Sequence, residues 1–100
     1  MEIKFIEQND RLDIVFIGHL DNAATPEAEL ALKPVYECNC DILVDCGELS
    51  YISSKGLRLL INLYKDVRDK GHKAFITKMN KNVREVLYIG GVLTLFQEVE

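Results

Sequence analysis

Two adjacent hydroxyl groups, those of Ser53 and Ser54, stand where an apolar strand pattern gives way to an amphipathic helix pattern. Lys55 and Gly56 follow them, so the first helical turn combines two alcohols, a cation and a flexible backbone. Backbone N–H groups at a helix start lack intrahelical partners and carry the positive end of the helix dipole, which stabilises an anion there. The pattern therefore predicts either a capping hydroxyl, contributing roughly 1 kcal/mol to the helix, or a site for a phosphate.

A hydrolytic enzyme would need to activate such a serine. Ser54 and Asp45 together with a histidine supply the residue types of a catalytic triad, and the histidines are His19 and His72. The chain has no Gly-x-Ser-x-Gly motif. His72 follows the far end of the helix that begins near Ser54, roughly 24 Å away along the helix axis. Walker A and complete GxGxxG motifs are also missing. We therefore expect no catalytic residue, no cofactor and no small-molecule substrate.

The cysteines, Cys38, Cys40 and Cys46, could suggest a metal site or a disulfide. A single Cys-x-Cys pair lacks the second pair that is typical of zinc sites, so no metal ligand is predicted. An odd number of cysteines in a short chain without an export signal favours reduced thiols over a disulfide framework. Cys46 is interpreted as a small buried residue after its strand.

Composition restricts the class of protein. The 100 residues, 48% of them hydrophobic and 28% charged, predict a single soluble domain over residues 1–100 with one core. The formal net charge is −4, and no cluster of lysine and arginine interleaved with aromatic residues occurs, so neither nucleic acid nor an anionic membrane is an expected partner. The charged N-terminus fits neither a signal peptide nor a transmembrane helix, and the cytoplasm is the expected location.

The first part of the chain predicts a β-hairpin followed by a helix. Apolar and polar residues alternate on both sides of Asn9 and Asp10, as in two strands joined by a tight turn. The alternation ends at Gly18, where residues 18–22 are expected to form a turn. Thr25 as a cap and Pro26 at the first helical position predict a helix to about Tyr36, with Pro34 fraying or ending its last turn.

The second part alternates strands with helices. Residues 41–45 predict a buried central strand, which a polar turn connects to the helix beginning at residue 54. That helix carries apolar residues at positions 57, 60, 61, 64 and 67 and ends at Gly71. Residues 73–77 predict another strand, Asn80 or Asn82 caps the next helix, and the tail after Gly90 and Gly91 predicts an edge strand or a helical turn.

These elements predict an α/β fold with a single mixed, largely parallel sheet of four or five strands, an N-terminal β-hairpin and helices packed on the sheet. At the carboxyl edge of such a sheet, Asp45 is expected either to hydrogen-bond the loop of Ser53 and Ser54 or to tie down a turn. Asp21, after Gly18, is interpreted as a turn or capping residue, or as a residue that contacts a partner.

The order of these motifs resembles the STAS domain, specifically the small anti-sigma factor antagonists of bacteria. The resemblance covers nearly the whole chain. Residues 18–21, Gly-His-Leu-Asp, are similar to the Gly-x-Leu-Asp turn of that family, and residues 45–57 are similar to its strand end and Asp-Ser-x-Gly-Leu run. The chain departs from the pattern at Ser53, which stands where the family usually has an aspartate, so two adjacent hydroxyls compete as phosphate acceptor.

The resemblance implies a STAS-like fold and a binding function without catalysis. It implies that an anti-sigma factor, itself a serine protein kinase, phosphorylates Ser54, with Ser53 as the alternative, and that only the unphosphorylated form binds it and frees a sigma factor. The implied partner-binding residues are Asp21, Ser53, Ser54, Lys55, Gly56 and Arg58. The alternative is a STAS module of another complex, such as a lipid-transport ATPase or a signalling assembly, which binds through the same surface without phosphorylation.

Overall fold

The computed structural model describes residues 1–100 and contains one five-stranded sheet with the strand order β1-β2-β3-β4-β5. Strands β1 and β2 pair antiparallel, and all other neighbours pair parallel. This confirms the mixed, largely parallel sheet with an N-terminal hairpin. The strand bounds are β1 Glu2–Glu7, β2 Arg11–Leu20, β3 Asp41–Ile52, β4 Ala74–Thr77 and β5 Gln97–Glu98.

Four α-helices and one 3₁₀-helix connect the strands. Their bounds are α1 Thr25–Ala31, α2 Lys33–Glu37, α3 Ser54–Asp69, α4 Lys81–Ile89 and the 3₁₀-helix Val92–Thr94. The single helix expected up to about Tyr36 is therefore two helices, broken at Leu32, because Pro34 begins a new helix instead of ending the first. None of the helices combines the length and the apolar character that crossing a lipid bilayer requires.

The apolar core lies between the helices and one face of the sheet. Alternation along β2 places Leu12, Ile14 and Phe16 on that face, and all of them are buried. Leu59, Leu60, Leu63 and Val67 supply the buried stripe of α3. This stripe is shifted from the predicted one, since Leu57, Ile61 and Tyr64 are only partly buried. A stripe shifted in this way leaves Leu57 at the rim of the core.

Strand β2 continues further than the alternating pattern indicates. The turn expected over residues 18–22 begins only after Leu20, because Gly18 and His19 still pair with β3. Gly18 has φ +106°, in the left-handed region that favours glycine, and a register shift falls between Gly18 and His19. A bulge therefore absorbs the irregularity while the strand goes on to Leu20.

Strand β3 also runs past its predicted end, and the prediction of a polar turn after Asp45 is wrong. Residues up to Ile52 remain in the ladder, where Glu48 pairs with Ile17 and Leu49 with Gly18 across a register shift. Asp45 Oδ1 accepts from the N–H of Gly47 at 2.9 Å, which stabilises the irregular segment. The extra residues carry the chain without a loop to the start of α3.

The prediction of three reduced thiols is wrong for two of the cysteines. Cys38 and Cys40 form a disulfide, because the bend between α2 and β3 brings their Cα atoms within 5.7 Å of each other. Cys46 is a free and buried thiol, as predicted. Burial, with a smaller contribution from the neighbouring carboxylate of Asp45, raises the pKa of Cys46 to about 12.

Candidate functional site

The candidate site lies where β2 and β3 end and α3 begins. Leu20 and Ile52, the last residues of the two strands, pair with each other in the sheet. The N–H of Ser53 then donates to the carbonyl oxygen of Leu20 at 2.9 Å, so the chain enters α3 directly from the sheet edge. This hydrogen bond fixes the orientation of the helix start against β2. Both strands are parallel here, so their carboxyl ends meet at the same edge.

Ser53 is the N-cap of α3. Its Oγ accepts from the N–H of Gly56 at 3.2 Å, and the residue is buried with 8% exposure. A serine in this position satisfies one of the unpaired N–H groups of the first turn. The structure therefore assigns the capping role to Ser53, and its hydroxyl points into the fold.

Ser54 is the first residue of α3 and is exposed to solvent. Since the cap is already supplied by Ser53, the helix does not use the Ser54 hydroxyl as its N-cap. The two serines that are adjacent in sequence thus have different environments, one buried and bonded, one open. The hydroxyl of Ser54 is therefore accessible from solvent.

Gly56 is buried, and its role lies in packing. A Cβ atom at this position would lie 2.8 Å from Ile52 Cγ1 and 2.8 Å from the carbonyl oxygen of Leu20. Real Cβ atoms do not approach other atoms so closely, so only glycine allows α3 to lie this near the strand ends. Gly56 was predicted as a partner-binding residue, and the structure places it beneath the exposed surface.

Two exposed cations flank the open serine. Lys55 follows it directly, and Arg58 lies one turn further along the helix. Residues separated by four positions share a helix face, so Arg58 lies on the same side as Ser54. Together with the positive end of the helix dipole, these side chains make the start of α3 favourable for an anion.

Asp21 lies next to this surface, in the turn between β2 and α1. Its Oδ1 accepts from the N–H of Ala24 at 2.8 Å, and its carbonyl oxygen accepts from the hydroxyl of Thr25 at 2.7 Å. This is the geometry of a turn carboxylate that begins a helix. Asp21 remains half-exposed and directly follows Leu20, the residue that holds Ser53.

The residue types of a catalytic triad are not brought together. Asp45 accepts from the Gly47 N–H and pairs with Lys78 at 3.8 Å, so of its two expected roles the hydrogen bond to the serine loop is not formed and a local backbone contact is. His72 contacts Asp41 and Asn39. His19 lies edge-on to Tyr51, with 6.2 Å between ring centroids.

One neighbour of the site is not indicated by local sequence patterns. The end of α4 lies against the first turn of α3, because a Cβ on Gly90 would lie 2.9 Å from Leu57 Cδ1. Leu57 follows Ser54 by three positions and shares its helix face. The only local signal is the pair Gly90-Gly91, which the sequence explains equally well as a helix stop.

The family model described as the STAS domain matches residues 2–100. BtrV of Bordetella bronchiseptica, whose name describes an anti-sigma factor antagonist, is 34% identical over 93 residues, covering 87% of this chain and 79% of BtrV.

Solved structures share the fold at low sequence identity. An anti-sigma factor antagonist structure from Thermotoga maritima has a TM-score of 0.88 at 14% identity, covering 98% of this chain and 86% of that one. SpoIIAA, a cell fate determinant of Bacillus, has a TM-score of 0.81 at 15% identity in its unphosphorylated form, covering 99% of this chain and 89% of that one. Its phosphorylated form has a TM-score of 0.73 at 14% identity, covering 99% and 92%.

Proposed function

Because this chain belongs to the STAS domain family, we propose that it is an anti-sigma factor antagonist controlled by phosphorylation of Ser54. In its unphosphorylated form it binds an anti-sigma factor that is also a serine kinase, and the sigma factor held by that partner is released. The module acts in the cytoplasm, where sigma factors work. The name of BtrV supports the antagonist function, and the geometry of the two serines supports the acceptor residue.

The main observation behind this proposal is that Ser53 and Ser54 differ in exposure and in hydrogen bonding. A kinase must reach the hydroxyl oxygen with the terminal phosphate of ATP, and Ser54 is exposed whereas Ser53 is buried in its capping hydrogen bond. Moving the Ser53 hydroxyl outwards would break the cap. Ser54 is therefore the proposed phosphate acceptor, and Ser53 is its structural support.

The partner supplies the ATP and the catalytic groups for the transfer. The Ser54 oxygen attacks the terminal phosphorus of ATP, its proton passes to a base of the kinase, and ADP leaves. The product carries about −1.5 to −2 charges at neutral pH. The positive end of α3 and the guanidinium of Arg58 stabilise this charge on the free protein.

Phosphorylation acts on the surface and leaves the fold intact. SpoIIAA, whose fold this chain shares, has been solved in its unphosphorylated and phosphorylated forms, which supports a fold that is retained on phosphorylation. The partner, however, must displace water from the surface around Ser54, and a dianion there resists desolvation and repels nearby carboxylates. Binding is lost while stability is retained.

The surface proposed for partner contact has exposed and supporting members. Ser54, Lys55 and Arg58 face solvent on α3, and Asp21 lies beside them in the preceding turn. Gly56 acts from beneath, because its missing side chain sets the height of α3 above the strand ends. Substituting the exposed residues changes binding, whereas substituting Gly56 changes the position of the whole helix start.

The test is incubation of the purified chain with Mg-ATP and purified anti-sigma factor kinases from the same organism, followed by intact-mass and fragment analysis. We expect the mass of one phosphate on Ser54. Ser53→Ala should keep this gain and Ser54→Ala should lose it. Ser54→Asp should weaken binding at least about tenfold with an unchanged melting temperature, because it places an acid on the desolvated surface.

Phosphate on Ser53 instead, or unfolding of Ser54→Asp, would contradict the assignment of roles. Binding of a partner without any mass gain would replace the proposal by its alternative. In that case the chain is a STAS module of a lipid-transport ATPase or a signalling assembly that uses the same surface without phosphorylation.

A further inference from the structure

An open pocket lies at the end of the sheet opposite to Ser54. It has a volume of about 820 Å³ and is formed where β1 ends and where β2 and β3 begin. Cys38 and Cys40, which form the disulfide, are among its lining residues, and both are only partly buried. The disulfide therefore lies at a recess that is open to solvent.

The bend that carries the disulfide is held in place by other bonds. The Lys70 ammonium donates to the carbonyl oxygens of Tyr36 and Cys38, each at 2.7 Å. His72 Nε2 lies 2.9 Å from Oδ1 of Asn39, the residue between the two cysteines. None of these bonds uses a sulfur atom, so the segment stays anchored to the end of α3 when the S–S bond is open.

The disulfide also contributes little to the stability of the fold. It closes a ring with a sequence separation of only 2, and the stabilisation from loop entropy decreases with ring size. In the cytoplasm, where the proposed function places this chain, glutathione and thioredoxin keep thiols reduced, and disulfides there are usually transient or redox-sensing. A purely structural role thus explains neither the size of the ring nor its position at a pocket.

We propose that Cys38 and Cys40 are a redox-active pair that exchanges between dithiol and disulfide with thiols entering this pocket. The proposal rests on the proposed function only for the location of the chain in the cytoplasm. The reacting molecule is defined by its chemistry, which is a thiol on a peptide or on a protein. Most residues that line the pocket are polar or charged, among them Asp10, Arg11 and His72, and these groups suit a peptide better than an apolar ligand.

The exchange is a two-electron reduction in two steps. A thiolate of the entering molecule attacks one sulfur of the pair, the S–S bond breaks, and the other cysteine leaves as a thiolate that takes up a proton. A second thiolate of the reductant then attacks the mixed disulfide. The disulfide of the reductant forms, and the remaining cysteine of the pair leaves and is protonated. The reverse steps, with a disulfide such as oxidised glutathione as the oxidant, close the pair again.

The third cysteine and the serine site stay outside this chemistry. Cys46 is buried, and burial raises the pKa of its thiol to about 12, so it forms little of the reactive thiolate. The pair lies beside the end of α3, whereas Ser54 begins that helix of 16 residues, roughly 24 Å away along the axis. Thiol exchange therefore leaves the surface around Ser54 uncovered.

The test is equilibration of the folded, full-length chain with glutathione, followed by alkylation of free thiols and intact-mass analysis. In a large excess of reduced glutathione, more than about half of the chains should carry alkyl groups on both Cys38 and Cys40, and oxidised glutathione should reverse this. Cys46→Ser is the matched control and should give the same result. Cys40→Ser, which lacks the second sulfur, should instead gain the mass of one glutathione on Cys38 in oxidised glutathione.

A second arm replaces glutathione by thioredoxin with its reductase. Reduction by either reagent supports the proposal, and the faster of the two identifies a peptide or a protein as the source of the thiol.

A folded wild type that keeps its disulfide with both reagents, and loses it only after unfolding in urea, overturns the proposal. A folded Cys40→Ser variant that takes up no glutathione on Cys38 does the same. No kinase enters this assay, so its result is independent of whether Ser54 is phosphorylated.

Discussion

The two ends of α3 differ in how their polar groups are used. At its start, Ser53 is buried as the cap and Ser54 is exposed. At its end, the ammonium of Lys70 donates to the carbonyl oxygens of Tyr36 and Cys38, each at 2.7 Å, and pairs with Asp66 at 2.8 Å. The end of the helix is thus tied to α2 by side-chain bonds, while its start leaves one hydroxyl free.

This difference distinguishes the polar groups of α3 that stabilise the fold from those that are open to a second molecule. The Oδ2 atom of Asp66 is buried and has only the Lys70 ammonium as its partner, so both charges belong to the fold. Burial, followed by the charges of Asp66 and Glu29, raises the pKa of the Tyr36 phenol at the same place. Polar groups without such internal partners, as at Ser54, are the ones available to a second molecule.

The largest expected effect comes from a methyl group at the start of α3. Gly56→Ala should lower the free energy of unfolding by about 3 kcal/mol, because its Cβ would overlap Ile52 and the Leu20 carbonyl. Gly71→Ala, after the other end of α3, is the control. Gly71 has φ +81° with nothing within 4 Å of its Cβ position, and conformational strain alone should cost about 1 kcal/mol. Urea unfolding of both variants tests which substitution lowers the free energy of unfolding more. Equal losses of stability would mean that Gly56 has room for a side chain.

The second largest loss of stability is expected when the Lys70 ammonium is removed from the other end of α3. Lys70→Met removes the ammonium from its carbonyl partners and leaves the buried Oδ2 atom of Asp66 unpaired, so about 2 kcal/mol of stability should be lost. Arg68→Met, which removes a cation that is 55% exposed, should change stability less than about 0.5 kcal/mol. Partner binding should be unaffected by either substitution. If Lys70→Met is fully folded but no longer binds the partner, the two ends of α3 do not differ in the way described.

The disulfide next to this tie should contribute less. Cys40→Ser opens a ring that spans a sequence separation of only 2, and the loss of loop entropy predicts a cost of about 1.5 kcal/mol. Thermal or urea unfolding should show the same loss when the wild type is reduced by dithiothreitol. The reductant should have no effect on Cys40→Ser. A reductant-sensitive Cys40→Ser variant would show that another bond was being measured.

The smallest effects distinguish the two serines. Ser53→Ala removes the cap and should cost about 1 kcal/mol, whereas Ser54→Ala should change stability less than about 0.5 kcal/mol. Both values follow from urea unfolding, and the kinase assay on the same proteins should show the reverse order of importance. If Ser54→Ala is the destabilising substitution, the roles of the two residues must be exchanged.

Local signals in the sequence were sufficient for several elements. Asn80, one of the two predicted candidates, caps α4 by accepting from the Val83 N–H at 2.8 Å, and Gly71 takes the predicted left-handed conformation after α3. The extension of β3 could not be predicted, because Gly47 and Glu48 are poor strand residues. Gly47 falls in a register shift, and the ladder resumes where Glu48 pairs with Ile17 of β2. The disulfide depends likewise on a bend that no local pattern specifies.

The candidate site was predictable as a segment but not as a set of roles. The sequence places two serines at a helix start, yet which of them caps depends on a shift of one residue in that start. The contact between Gly90 and Leu57 joins residues that are distant in the chain, so this neighbour of the site could only be found in three dimensions. The packing role of Gly56 depends on the atoms around its Cβ position, and the sequence does not specify these neighbours.

The strand order has a consequence for synthesis. Every strand pairs with the strand that precedes it in the chain, so the sheet can grow from β1 to β5 while the protein leaves the ribosome. The first hairpin alone is marginal in water and becomes stable only when β3 and α3 pack on it. The elements around Ser54, which are β2, β3 and α3, are therefore all synthesised before α4 and β5.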